Sequence, residues 1–267
     1  MTFETIDYEV QGRVARIWHN RPAARNAENR QLLQEMDDAL RLAAGDEAVR
    51  AIIIAGRGDH FSSGHDIREG ARERPNPTVE QRWAYEEQYY LRYALNIWDC
   101  PKPTIAQVQG ACIAGAFMVA NLCDLIVASD DAFFADPVVP AFAASAVEIL
   151  VHPWVLGLRK AKEVLFTGAR FSAAEALAWG MVNKVVPRPE LEEAAMALGE
   201  RIAEASPFAL KITKRSLNRT ADIMGFRAAI EAHFDTHQLS HVTAEAAALK
   251  KPPEQRIGAV RATARPG

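Results

Sequence analysis

Three short runs of nearly unbroken apolar residues, VRAIIIAG at 49–56, TIAQV at 104–108 and LIVAS at 125–129, constrain the fold of this chain more than any other feature. The first, bounded by charge and glycine, suits a strand buried on both faces, and the other two are expected to be strands as well. Helical periodicity lies between them. From Ala27 to Ala43, Leu32, Leu33, Met36, Leu40 and Ala43 recur on one face, so an amphipathic helix is expected there. Upstream, residues 3–10 and 13–19 alternate about Gln11-Gly12 and predict a hairpin that ends at Asn20-Arg21-Pro22.

Thr78 with Gln81 predicts a capped helix over 79–98, and the stretch from Ala114 predicts another. Helices also suit 159–166 and 173–179, the second opened by Ser172 and Glu175, before a short last strand at 181–186. Beyond Pro187 the pattern is helical throughout, over 190–205, 208–219, 222–240 and 243–249. Strands and helices mix first and helices finish alone, which predicts an α/β core over 1–200 and a helical C-terminal region over 201–267. The charged segment REGARERPNPT at 68–78 is expected to be a mobile loop, and the tail after Lys250 to be loosely held.

At 267 residues the chain buries a large core without disulfides or a structural metal. Cys100, Cys112 and Cys123 are odd in number and lack metal-ligand spacing, so reduced thiols and no metal site are expected. With 31 basic and 34 acidic residues there is no cationic arm for nucleic acid. No run approaches the ~20 apolar residues of a membrane span. The N-terminus has no signal or transit pattern, and a cytoplasmic protein is expected.

Two turns look built to receive an anion. In GDHFSSGHDI at 58–67, Ser62, Ser63 and Gly64 let a ligand approach the backbone, and Asp66 can cap a helix starting at Ile67. In GACIAGAFMVANLC at 110–123, Ala114, Gly115 and Ala116 open a helix apolar on every side, whose first N–H groups lack intrahelical partners. A carbonyl oxygen gaining charge as a thioester enolate would be stabilised there. A dinucleotide fingerprint is excluded, because Gly56, Gly58 and Gly64 do not have its spacing.

These turns, with NRPAARNA upstream and TGARFSAAEALAWGMVNKVVP downstream, resemble the crotonase superfamily of enoyl-CoA hydratases and isomerases from about Phe3 to Pro187. The resemblance implies a crotonase-like spiral of strand-strand-helix units and a C-terminal helical region that builds homotrimers, often paired into hexamers. It implies a coenzyme A thioester as substrate, with no permanently bound cofactor. The amides of His65 and Gly115 would form an oxyanion hole. Ala24, Arg25 and Ala27, with Ser62, Ser63, Asp66 and Ile67, would line the groove for coenzyme A.

Hydratases of the superfamily hold water between two glutamates, and the matching positions here are Met118 and Val138. Neither side chain can exchange a proton, so both are expected to be core or pocket wall and the two-carboxylate hydration is expected to be absent. Asp136, Glu148 and His152 in FADPVVPAFAASAVEILVHPW are the nearby candidates for acid or base. Glu148 lies in an apolar run, where it is either a base of raised pKa or half of a salt bridge at a subunit contact. The imidazole of His65 is another candidate, and Glu86, Glu87, Tyr89 and Tyr90 could reach an acyl group if the preceding loop were a lid. Isomerisation, decarboxylation, thioester cleavage and acyl-CoA binding without turnover stay open beside hydration.

Overall fold

The alternation about Gly12 closes as an antiparallel hairpin of β1 (Ile6–Gln11) and β2 (Val14–His19). The computed structural model describes residues 2–249 and 252–263. Helix α1 (Arg30–Gly45) starts three residues later than its apolar period, because the Asn29 side chain accepts from the Leu32 amide and takes the cap. Strand β3 (Ala51–Gly56) then runs parallel to β2.

The segment expected to be a loop at 68–78 is half helix, α2 (Ile67–Glu73). Asp66 caps it by accepting from the Glu69 amide, and Glu69 in turn accepts from the Arg30 amide at the start of α1. The helix predicted over 79–98 is α3 (Val79–Glu86), a π-helical stretch Glu87–Arg92, and α4 (Tyr93–Asp99), opened by the expected Thr78–Gln81 capping box.

Next come β4 (Thr104–Val108), β5 (Ala111–Ile113), α5 (Gly115–Leu122), β6 (Leu125–Ser129) and β7 (Phe133–Ala135). They are followed by α6 (Val138–Phe142), α7 (His152–Leu156), α8 (Leu158–Thr167), β8 (Phe171–Ser172), α9 (Ala173–Ala178) and β9 (Lys184–Val186). Helices α10 (Leu191–Ala203), α11 (Pro207–Ile223), α12 (Phe226–Ser240), α13 (Ala244–Ala248) and α14 (Pro253–Thr263) finish the described chain.

The strands form a six-stranded sheet ordered β1-β2-β3-β4-β6-β9, parallel after its first hairpin, and a three-stranded sheet ordered β5-β7-β8. Successive turns of chain give one strand to each sheet, β4 then β5 and β6 then β7, which is the spiral of a crotonase-like α/β fold. Strands β2, β3 and β4 are wholly buried. On one face Val14, Ile53, Ile105 and Val127 meet Leu191, Ala195 and Met196 of α10. On the other, Ile17, Ile52, Ile54 and Ala106 join the main core with α1, α4 and α5.

The tail expected to be loose is also helical. Glu254 of α14 pairs with Arg68 of α2, Arg256 lies over the Phe142 ring, and Val260 packs on Ala111, Ile113 and Ala135. Residues 264–267 of the closing RATARPG lie outside the described residues. All three cysteines are free and buried. Among the described residues no helix is long and apolar enough to cross a membrane.

Candidate active site

The two anion-receiving turns lie against each other. Residues 25–28 run beside 63–66, joined by bonds from the Ser63 amide to the Arg25 carbonyl, Glu28 to Gly64 and Asp66 to Glu28. In this ladder the amide of His65 faces away from its partner strand. The Ser62 hydroxyl is spent internally, donating to the Asn26 carbonyl and accepting from the Gly64 amide. Gly64 has φ +78°, and a Cβ on it would strike the Ile113 carbonyl and come within 3.1 Å of the Gly115 amide nitrogen, so the two turns touch at backbone distance.

Ala114 links β5 to α5 at φ 53°, ψ −113°, a conformation that costs a residue with a Cβ about 1–3 kcal/mol. That kink turns the chain sharply into α5. Its own amide is held by the Ala135 carbonyl, but among the described residues neither the Gly115 nor the His65 amide is given to a backbone acceptor. Both amides are therefore free to donate to a ligand oxygen beside the positive end of a buried helix.

The His65 side chain extends this cradle. Its Nε2 lies 2.7 Å from Glu148 Oε1, its Nδ1 lies 3.7 Å from Glu28 Oε2, and the ring is stacked on Tyr90 at 3.8 Å between centroids. A Cβ on Gly115 would collide with both Glu28 Oε2 and His65 Nδ1, so these groups border the oxyanion helix. Burial pushes the imidazole pKa down, but Glu148 and then Glu28 outweigh it and raise it to about 10. Burial also pushes Glu148 up, yet the His65 charge and hydrogen bond bring it below the usual carboxylate range. Glu28, with neither oxygen hydrogen-bonded, is raised by burial. The arrangement is an imidazolium between an ionised acid and one held toward its neutral form, and only the His65 side chain, 30 % exposed, is open to a ligand.

Two of the predicted acid–base candidates, His65 and Glu148, thus meet across 83 positions of sequence. Asp136 makes its contacts elsewhere. It is fully buried, accepts from the Val138 and Val147 amides, and lies 3.4 Å from His152, which is stacked on Phe117. Met118 and Val138 are buried in the core, as expected of residues that carry no proton. Of the aromatic and acidic candidates on 86–90, Tyr90 joins the site, Glu86 pairs with Arg82 and His237, Glu87 pairs with Arg92, and Tyr89 packs on Tyr85.

The residues expected to line the coenzyme A groove fall on the two adjacent runs: Ala24, Arg25 and Ala27 on one, Ser62, Ser63, Asp66 and Ile67 on the other. Arg25 is exposed and left-handed at φ 55°, while Asp66 both caps α2 and pairs with Arg21. Glu28 was not among the expected residues. Its only sequence signal is a carboxylate directly before the Asn29 cap, in the run that continues the NRPAARNA motif.

Residues 9–251 match the family model for enoyl-CoA hydratase/isomerase. A Mycobacterium tuberculosis protein whose name assigns it to the enoyl-CoA hydratases, EchA13, is 42 % identical over 258 residues, covering 90 % of this chain and 81 % of its own. The human mitochondrial Delta(3,5)-Delta(2,4)-dienoyl-CoA isomerase is 34 % identical, covering 80 % of this chain and 68 % of its own. The crystal structure of an enoyl-CoA hydratase/isomerase from Xanthobacter autotrophicus superposes with a TM-score of 0.89 at 34 % identity, covering 98 % of this chain and 96 % of that one.

Proposed function

We propose, from the premise that this chain belongs to the enoyl-CoA hydratase/isomerase family of acyl-CoA-transforming enzymes, that it moves the double bond of an enoyl-CoA rather than adding water across it. One observation carries this reading. The site offers a ligand a single proton carrier, His65, while Glu28 and Glu148 are each 99 % or more shielded and reach a substrate only through that ring. Hydration needs two groups to hold and split a water. Double-bond migration needs one group that removes a proton at one carbon and returns it at another.

The thioester carbonyl would accept from the His65 and Gly115 amides, and the negative charge of the dienolate would gather on that oxygen. At rest the ring is protonated; the reacting form is the one that has lost its Nδ1 proton while Nε2–H still donates to Glu148 across 2.7 Å. Nδ1 takes the substrate proton, and the imidazolium so formed puts a positive charge beside the developing oxyanion. Return of that proton at the other carbon restores the reacting form, with no net proton consumed. Tyr90 and the buried acids hold the ring in place and keep water from it.

Coenzyme A would lie along 24–27 and 62–67, held largely by backbone. We place the enzyme in the cytoplasm as a homotrimer or a hexamer assembled through residues 201–267, where Phe208, Leu217, Ile223 and Met224 are exposed. The test is a panel of 2-enoyl- and 3-enoyl-CoA thioesters incubated with purified enzyme in deuterated water and read by mass spectrometry. Interconversion of the two classes with deuterium entering the acyl chain is expected. Rapid water addition to the 2-enoyl substrate without interconversion would overturn the proposal.

A further inference from the structure

The Glu148 oxygen that meets His65 also lies 3.8 Å from Nε2 of His237, on α12. There a second cluster of side chains begins. His241, one helical turn further on, brings its Nε2 to 3.1 Å from that of His237, with the two rings nearly perpendicular at 88°. Glu86, the last residue of α3, places Oε2 3.4 Å from His237 Nε2. The three ligand-type atoms all lie within 4.8 Å of one another.

Hydrogen bonding alone serves this arrangement poorly. The two facing Nε2 atoms can share one proton, which leaves a carboxylate oxygen and a second nitrogen lone pair converging on the same point. Nδ1 of His237 is buried without a partner, so every polar neighbour of the ring crowds onto its Nε2 side. A cation at the centre satisfies all three atoms at once. Tetrahedral ligands at ~2.0–2.1 Å from an ion stand about 3.3 Å from each other, close to the 3.1 Å and 3.4 Å edges found here.

The carboxylate is also held from behind. Gln238 Nε2 donates to Oε2 at 2.7 Å and Arg82 NH1 to Oε1 at 3.2 Å, which fixes the orientation of the carboxylate in the way outer-sphere partners do. Two imidazoles and one carboxylate suit a borderline first-row ion and not calcium or magnesium. Glu86 and His237 are buried while His241 is partly exposed, so an ion would enter past His241.

We infer that Glu86, His237 and His241 form a site for one divalent ion of the zinc class, which fastens α12 to the end of α3 beside Glu148. The site stands on different residues from the oxyanion cradle and does not depend on which reaction runs there.

The test uses the full-length chain without an affinity tag, stripped with a chelator and then exposed to zinc. After desalting, one equivalent of zinc per chain is expected by elemental analysis. Cobalt substituted for zinc should give the intense visible absorption of a tetrahedral ion. His241→Ala and Glu86→Gln should each weaken zinc binding at least ~100-fold and abolish the rise in Tm that zinc gives the parent. His241 is partly exposed, so its variant should fold, which circular dichroism checks. The inference is overturned if the parent retains no more zinc than His241→Ala, or if both variants keep a full equivalent.

Discussion

Replacing Glu148 with Gln keeps the volume of the side chain and removes its charge. Nε2 of His65 then faces an amide where it had a carboxylate at 2.7 Å. The climb of the ring from 6.5 to about 10, against a burial effect that lowers it, corresponds to a preference for the charged ring on the order of 5 kcal/mol. Glu148 supplies the largest raising effect, and Glu28 stands further off at 3.7 Å and is itself held toward its neutral form. Without Glu148, burial governs, and the ring should lose its proton at or below 6.5.

At about pH 8 the parent ring would therefore rest as an imidazolium and the variant ring as a neutral imidazole, a weaker base with no carboxylate to stabilise the charge it gains on taking the substrate proton. Turnover of a 3-enoyl-CoA should fall ~10²–10⁴-fold, with KM nearly unchanged because the coenzyme A groove is untouched. The rising limb of kcat, which follows loss of the ring proton, should move down by several pH units. Steady-state kinetics across pH give both quantities, and nitrogen NMR of the His65 ring reads its titration independently of activity. A ring that titrates as in the parent, or turnover within a few-fold of it, would refute the charge-pairing account of the site.

Gly115→Ala puts a methyl group where Glu28 and His65 already stand, so the ring must move off the cradle; kcat should drop ~10²–10³-fold with the fold intact by circular dichroism, and parental kcat would count against the cradle. Stability should peak near pH 6.5. Below it, His19 and His152, lowered by burial to about 4 and about 3, stay neutral in the folded chain while the unfolded chain takes up two protons. His241, lowered by burial to about 4, adds a third proton, and Asp136, raised by burial to about 6, offsets one, so stability is lost as pH falls toward 4. Above the peak, His65 works in reverse: its contribution is full below 6.5 and is lost as pH rises toward about 10. Urea titrations at several pH values check both slopes, and a flat acid side would contradict the burial argument. Lys214→Ala should destabilise by about 3 kcal/mol, because it strips Asp124 of a cation at 2.8 Å, while Asp124 keeps its Thr104 bonds; a urea midpoint unchanged from the parent would rule this out.

The strands at 51–56, 104–108 and 125–129 were legible because burial on both faces leaves a local mark, an apolar run between breakers. β5 and β7 were not, since three residues each carry no period and their pairing is with one another. α14 was hidden, and α2 was read only at its Asp66 cap and Ile67 start while its body was taken for loop, for a different reason. Their charges read as solvated loop and tail, and what orders them is remote: Arg68 meets Glu254 across 186 positions, and Glu69 meets the Arg30 amide. The site divides along the same line. His65 and Glu148 could each be singled out, one by its place beside an oxyanion amide and the other as a carboxylate in an apolar run, but nothing local pairs them.

Glu28 shows why the pairing lay beyond reach. Its role follows from the register of one short parallel bridge, Glu28 opposite His65. Side chains alternate across such a ladder, so a slip of one position would turn Glu28 away from Gly115 and bring Ala27 or Asn29 to face it, leaving His65 with a single acid. That register is set by Gly64, the one residue there that can adopt φ +78° and clear the Ile113 carbonyl. The proton chemistry of the site is thus decided by a backbone contact 36 residues from the carboxylate it positions, and a substitution such as Gly64→Ala should disable His65 without altering any group that carries a proton.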